Sequence, residues 1–244
     1  MNESTLTQKF KAGGIHFLLS LVVISAYLAI VFLLWYPEPF ATLEKVTDAA
    51  RVVIGVDLVI GPLLTFLLYK KDKPGLRFDL TMVVLLQVSA LSWGIHITYS
   101  QRPVYVAYAE QLFSVVAASD LQGQKPEDHG LSSSGWGDQK MVFVDLPKSP
   151  QEKLDLAMKH PNLYALVDRY RPFKAHLQEV LEGAVDMNDQ IKEFPDMQAT
   201  YEQWLKAHGG NDQPYAFIPI EGRKGLAFIV LDRHNGDMVD IYKG

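Results

Sequence analysis

The sequence predicts a membrane protein in two parts: three transmembrane α-helices, then a soluble α+β domain built on an antiparallel sheet. Three observations predict it. Three long apolar runs crowd the first hundred residues, and no run of comparable length follows residue 102. The charge divides at the same place. Residues 1–102 carry 9 basic and 7 acidic side chains, a net of +2, whereas residues 103–244 carry 14 and 21, a net of −7. The whole-chain net charge of −5 and mean hydropathy of +0.03 average two unlike halves and, taken alone, describe an ordinary soluble globule.

The first run, residues 15–36, has only His16, Ser20 and Ser25 as strongly polar interruptions. At roughly 1.5 Å per residue it reaches roughly 33 Å, enough for a hydrocarbon core of about 30 Å. The second, 52–69, contains one charge, Asp57. The third, 80–98, holds Gln87, Ser89, Ser92 and His96. Three such runs in succession do not fit a soluble core. The first is too long for a cleaved signal, and Trp35-Tyr36-Pro37-Glu38-Pro39 follows it in place of a small-x-small site. Trp35 and Tyr36 suit a membrane–water interface. Lys9 and Lys11 precede the first span, and Lys70, Lys71, Lys73 and Arg77 fill the second connection. The positive-inside rule then makes residues 1–14 a cytoplasmic N-terminus, 15–102 a three-span bundle in the bacterial inner membrane, and 103–244 a periplasmic domain.

In the outer domain, Val104–Val116 is rich in β-branched and aromatic residues and reads as strand. Residues 122–139 read as an exposed loop and Met141–Asp145 as a short strand. Ser149-Pro150-Gln151-Glu152 is a capping box with proline at the first helical position, so a helix starts there. Leu163–Tyr170 reads as a second helix, Phe173–Leu181 as a third closed by Gly183, and Met197–Leu205 as a fourth capped by Asp196. Tyr215–Ile220, Leu226–Leu231 and Asp237–Tyr242 read as an antiparallel meander, with Asn235-Gly236 as a two-residue hairpin signal.

The composition excludes several chemistries. With no Cys there is no disulfide, Cys-ligated zinc, thiol catalysis or Cys-bound iron–sulfur cluster. The mild acidity gives no basic footprint for nucleic acid. Phosphate-loop, dinucleotide, His-Glu-x-x-His and Gly-x-Ser-x-Gly patterns are absent. The seven His include no i,i+4 pair, and Ser132–Ser134 read as a solvated loop. The expectation is a protein without catalytic residues, cofactor or metal.

The informative residues lie in the spans. Asp57 is an ionisable group inside the membrane, which marks either a partner contact or a polar cross-link of the bundle. It stands six residues from Arg51, roughly 9 Å, and His96 stands six from Arg102. That spacing permits an Asp57–His96 contact near the outer face. Gly55 offers close helix approach, and Pro62, beside Gly61, leaves an upstream carbonyl free and bends the helix. Gln87 lies mid-span, placed to hydrogen-bond between helices.

At these residues the sequence resembles the type IV pilin accessory proteins of the TfpX/TfpZ kind. The resemblance rests on Gly55-Val56-Asp57-Leu58-Val59-Ile60-Gly61-Pro62-Leu63-Leu64, on Leu76-Arg77-Phe78-Asp79-Leu80, on Gln87 and on Arg102-Pro103-Val104-Tyr105. It covers residues 10–120 well and the remainder in general plan. It implies an inner-membrane chaperone, without catalysis, that binds a type IV pilin: the bundle against the pilin's membrane helix, the outer domain against its head. The partners implied are the pilin and the lipid bilayer, with oligomeric state open. The rival from another class is a membrane-anchored periplasmic sensor, which needs a separate cytoplasmic partner for its output.

Overall fold

A computed structural model describes residues 3–127, 129–222 and 225–243. The chain divides after Gln101 into two compact units. The first is helical. Helix α1 (Glu3–Ile30) runs into one wide turn of π geometry, Val31–Trp35, and α2 (Phe40–Leu43) is a single short turn. Helix α3 (Val46–Ile54) passes through a second π segment, Gly55–Ile60, into α4 (Gly61–Leu68), and α5 (Leu76–Ser100) is uninterrupted. Among the described residues three stretches are long and apolar enough to cross a membrane: Thr5–Trp35, Val46–Leu68 and Leu76–Ser100, hereafter spans one to three. The helices extend beyond the apolar runs because polar residues such as Gln8, Asp48 and Asp79 continue them.

The two π turns have one cause. Each stands just before a proline, Pro37 or Pro62, and each is closed by an i→i+5 bond, Tyr36 N–H to Val31 O and Gly61 N–H to Val56 O. A proline has no N–H and its ring crowds the carbonyl four residues back, and a widened turn absorbs both defects. Near the first of these turns Ile24, Tyr27, Val31 and Trp35 pack with Val46 and Val53 into a buried apolar core. The Tyr36 hydroxyl donates to Thr98 O at 3.0 Å, which ties spans one and three together there. Elsewhere large apolar side chains such as Val22, Leu33, Leu86 and Trp93 face outward, as a lipid-facing surface requires.

The second unit is α+β, as expected. Its elements are β1 (Pro103–Ala109), β2 (Leu112–Ala117), β3 (Lys140–Val144), α6 (Pro150–Lys159), β4 (Tyr170–Pro172), α7 (Leu177–Glu182), α8 (Met187–Glu193), α9 (Gln198–Ala207), β5 (Tyr215–Gly222), β6 (Gly225–Asp232) and β7 (Met238–Tyr242). They form one sheet of order β4-β3-β1-β2-β5-β6-β7. The meander β5–β6–β7 is antiparallel, but the sheet as a whole is mixed, with β1–β3 and β2–β5 parallel. Both parallel pairs join strands separated by long connections, whereas hairpin signals disclose only sequence-adjacent pairing.

Local departures have local reasons. The single strand expected over Val104–Val116 is the β1–β2 hairpin, which turns on Glu110 and Gln111, both at positive φ (53° and 62°). Neither is Gly or Asn, so the turn is silent in sequence. The Asn235-Gly236 turn is wider than two residues: Gly236 N–H donates to Asp232 O, and the Asp232 carboxylate accepts from His234 and Asn235 N–H. Part of the preceding hairpin connection, residues 223–224, lies outside the described residues. Helix α6 begins at Pro150 as expected, although the Ser149 side chain makes no capping bond. The second expected helix resolves into two 3₁₀ turns and β4, because Tyr170 is drawn into the sheet beside Val144 and its hydroxyl bonds Tyr164 O at 2.7 Å. Asp196 sits in a 3₁₀ turn ahead of α9, and the capping aspartate is Asp186, which accepts from Asn188 N–H and opens the unforeseen α8.

Strand register puts Tyr105, Ala107, Val116, Val142, Val144, Phe217 and Val230 on one face. There they meet Leu166 and Val167 at one end of the sheet and Met187, Met197, Tyr201 and Trp204 at the other. Tyr108 and Phe113 point to the opposite face, where Phe113 packs on Phe173. With both faces covered, β1 is buried along its length.

Tyr108 makes this packing pH-sensitive. Its hydroxyl donates to Val180 O at 3.3 Å, and burial, with Glu182 and Glu179 nearby, pushes the phenol up to about 12 from 10.0. The folded state holds the neutral form while the unfolded chain ionises. The contribution to stability is complete below pH 10 and is lost as pH rises toward 12. Tyr170 and Tyr201 are raised in the same direction, mainly by burial. Denaturant unfolding of the full chain at pH 9 and pH 11.5 is expected to show this fall, and Tyr108→Phe to make it shallower while the Tyr170 and Tyr201 contributions remain. An identical pH slope in the variant contradicts the assignment.

Candidate functional site

Span two places Asp57, Gly61 and Thr65 at four-residue intervals, on one side, and all three are buried. Asp57 stands midway along the span. Its own carbonyl is orphaned by the local helix geometry. In an α-helix Gly61 N–H would serve it, but that group donates to Val56 O, and the next residue, Pro62, has no N–H. A side chain from span three fills the gap: Gln87 Nε2 donates to Asp57 O at 3.2 Å and lies 3.5 Å from Ser20 Oγ on span one. One amide therefore links all three spans.

Gly61 makes that reach feasible, since a Cβ there would stand 2.1 Å from Gln87 Nε2. Gly94 does the same for span three, where a Cβ would meet Val53 Cγ2 at 2.7 Å. The close approach expected at Gly55 is not made, for a Cβ there would meet nothing within 4 Å. Nor does the structure bring His96 to Asp57. His96 is exposed, beside Trp93, and lies nine residues beyond Gln87, roughly 14 Å at about 1.5 Å per residue. Counting depth from Arg51 misplaces Asp57 because Arg51 is no boundary. It lies inside the helix, paired on the exposed surface with Asp48 at 2.8 Å.

Two further polar residues join the cluster unforeseen. His16 Nδ1 and Thr65 Oγ1 are 2.5 Å apart. The signal was present, since His16 and Ser20 are four residues apart in an otherwise apolar run and Thr65 continues the spacing of Asp57 and Gly61. Beyond them Lys9 Nζ donates to Leu67 O at 2.9 Å, satisfying a carbonyl in the last turn of α4. His16, Ser20, Asp57, Thr65 and Gln87 line a cavity of about 450 Å³ whose remaining wall is mainly aliphatic. Asp57 Oδ2 is buried there and has no hydrogen-bond partner among the described residues. The arrangement is a polar spot in an apolar groove, suited to holding a group and lacking a nucleophile–base pair.

In the second unit, Ser133 and Ser134 are tied into a turn around Asp138, whose carboxylate accepts from Ser134 and Trp136 N–H. Burial acts to raise that carboxyl, and these donors outweigh it and hold it below the usual range. Among the described residues no group of three His, Asp or Glu is placed to hold a metal ion.

Comparison with known proteins places this architecture. The chain is 32% identical over 250 residues to the fimbrial assembly protein of serogroup E1 of Dichelobacter nodosus, covering 95% of this chain and 93% of that one. It belongs to the fimbrial assembly protein family. The family model for fimbrial assembly protein FimB matches residues 4–44, which take in span one and the turn after it. The serogroup I protein is 32% identical over 123 residues, half of this chain and 48% of that protein's length. The serogroup A1 protein is 48% identical over 40 residues, 16% of this chain and 83% of its own. No solved structure matches the chain. The resemblance read from the span-two and span-three residues thus holds: this is a type IV pilus assembly accessory family, and the polar cluster is a feature of a fimbrial assembly protein.

Proposed function

We propose that the protein binds and stabilises a type IV pilin subunit before its incorporation into the pilus, catalysing no reaction. The observation that carries the reading is the 32% identity, over 95% of the chain, to a fimbrial assembly protein. The plan of the chain supports it. A pilin awaiting assembly has an apolar helix in the membrane and a globular head outside it. This chain has three helices fit to cross a membrane and a folded α+β unit. In this reading it resides in the bacterial inner membrane with its N-terminus cytoplasmic and its α+β unit periplasmic. Lys9 and Lys11 ahead of span one and the cationic connection Lys70–Arg77 support that orientation.

Deleting the gene in its own host is expected to lower the steady-state pilin level and remove surface pili, and the full chain supplied in trans to restore both. Unchanged pilin abundance together with normal pili would overturn the reading.

A further inference from the structure

Spans one and three both pack on span two and converge where the Tyr27 and Tyr36 hydroxyls reach Thr98. From the level of Gln87 toward Ala12 and Leu80, the cavity separates them. Its lips are Leu19 on span one and Val84 on span three, 64% and 51% exposed, so the groove opens on the lipid-facing surface. At its floor is Asp57, only 4% exposed, with Oδ2 unpartnered. A buried acceptor without a donor is costly in hydrocarbon, and such groups mark binding sites. An acyl chain in the groove supplies no donor. A transmembrane helix that carries one polar group at this depth does.

We propose that the groove between spans one and three seats the pilin's membrane helix, and that Asp57 Oδ2 accepts a hydrogen bond from a donor carried mid-membrane on that helix. The proposal rests on the pilin-binding reading and adds the seat and the recognising atom. The aliphatic lips supply close packing, which does not discriminate among apolar helices in lipid. The unpartnered acceptor does, because a helix without a donor leaves Asp57 Oδ2 orphaned. Asp57 is then a specificity residue and Gln87, which fixes the Asp57 backbone, a positioning residue.

The chain contains no cysteine, so one introduced thiol is a unique attachment point. Leu19→Cys and Val84→Cys at the lips, Val59→Cys on an exposed part of span two, and Leu154→Cys and Met238→Cys in the second unit are each fitted with a thiol-directed photo-crosslinker. The labelled full chains are irradiated in membranes of cells that make the host's major pilin. Pilin adducts from Leu19→Cys and Val84→Cys are expected at least tenfold above those from Val59→Cys. In the same backgrounds Asp57→Leu is expected to lower them at least tenfold, and Asp57→Asn, which keeps an acceptor oxygen, to leave them within about threefold. The lip-to-control ratio needs no Asp57 variant and stands even if Asp57→Leu fails to fold. Pilin adducts from the second unit alone overturn the groove while leaving pilin binding intact. Absence of pilin adducts from every position overturns both. Lip adducts only to lipid, or only to a second copy of the chain, overturn the seat, and full adduct yield in a folded Asp57→Leu removes the role of Asp57.

Discussion

Trp204→Ala is expected to destabilise the second unit by about 3–5 kcal/mol, the usual range for removing a large aromatic from a core. Trp204 is 7% exposed and lies at the centre of an aromatic cluster, with ring centroids 4.0 Å from His208, 5.0 Å from Phe217 and 5.2 Å from Tyr215. Its Nε1 donates to Asp240 Oδ2 at 2.9 Å, so one side chain of α9 pins the edge strand β7. Trp204→Phe separates the two contributions. It keeps most of the packing, loses the bond to a carboxylate, and is expected to cost about 1.5–3 kcal/mol. Trp136→Ala, at an exposed loop position, is expected to cost under about 1 kcal/mol. Denaturant unfolding of the full chain followed by far-ultraviolet circular dichroism reads all three. A Trp204→Ala penalty no larger than that of Trp136→Ala would mean that α9 does not pack on the sheet as described.

In the membrane unit the largest effect is expected at Gln87. Gln87→Ala strands the Asp57 carbonyl, which the π turn and Pro62 have deprived of any backbone donor. The expected cost is about 1–3 kcal/mol. Interhelical hydrogen bonds in membranes average nearer 0.6 kcal/mol because unfolded helices find other partners. The value here belongs at the upper end, since this carbonyl is exposed by the helix itself. Gly61→Ala attacks the same bond from the other side, by driving a methyl into the Gln87 amide. Each single variant then removes one and the same interaction. The double variant is expected to cost little more than either single, because the new methyl occupies space that Gln87 has vacated. Unfolding in detergent micelles tests this. Additive penalties would show that Gly61 and Gln87 act independently.

Much of the fold was legible because its signals are local. Apolar length announced the spans, Pro150 and Gly183 marked helix ends, and short apolar runs separated by turn residues over Tyr215–Tyr242 gave the meander. What stayed hidden depends on long-range pairing. Nothing within Lys140–Val144 says that it lies parallel to β1, and Glu110-Gln111 form a turn that their residue types do not advertise. In the spans, residue type identified Asp57, Gly61, Pro62 and Gln87, and the structure gathers these four. It leaves out His96 and Gly55, whose selection rested on depth and size without knowledge of helix rotation. His16 reads in the sequence only as an interruption of its run, and Thr65 does not stand out at all, because a lone polar residue in an apolar run assigns no partner until its azimuth is known.

The widened turn over Gly55–Ile60 bears on that azimuth. It inserts one residue beyond the α-helical count, which offsets everything after it by roughly 100° around the axis. Span two is therefore two helical rulers joined out of phase, and a helical wheel drawn through all of it misplaces one half against the other by about that angle. Shortening this turn by a single residue would leave length, composition and hydropathy almost unchanged. It would nevertheless swing Thr65 out of line with Asp57, so the alignment of the polar cluster depends on the length of that turn as much as on the side chains in it.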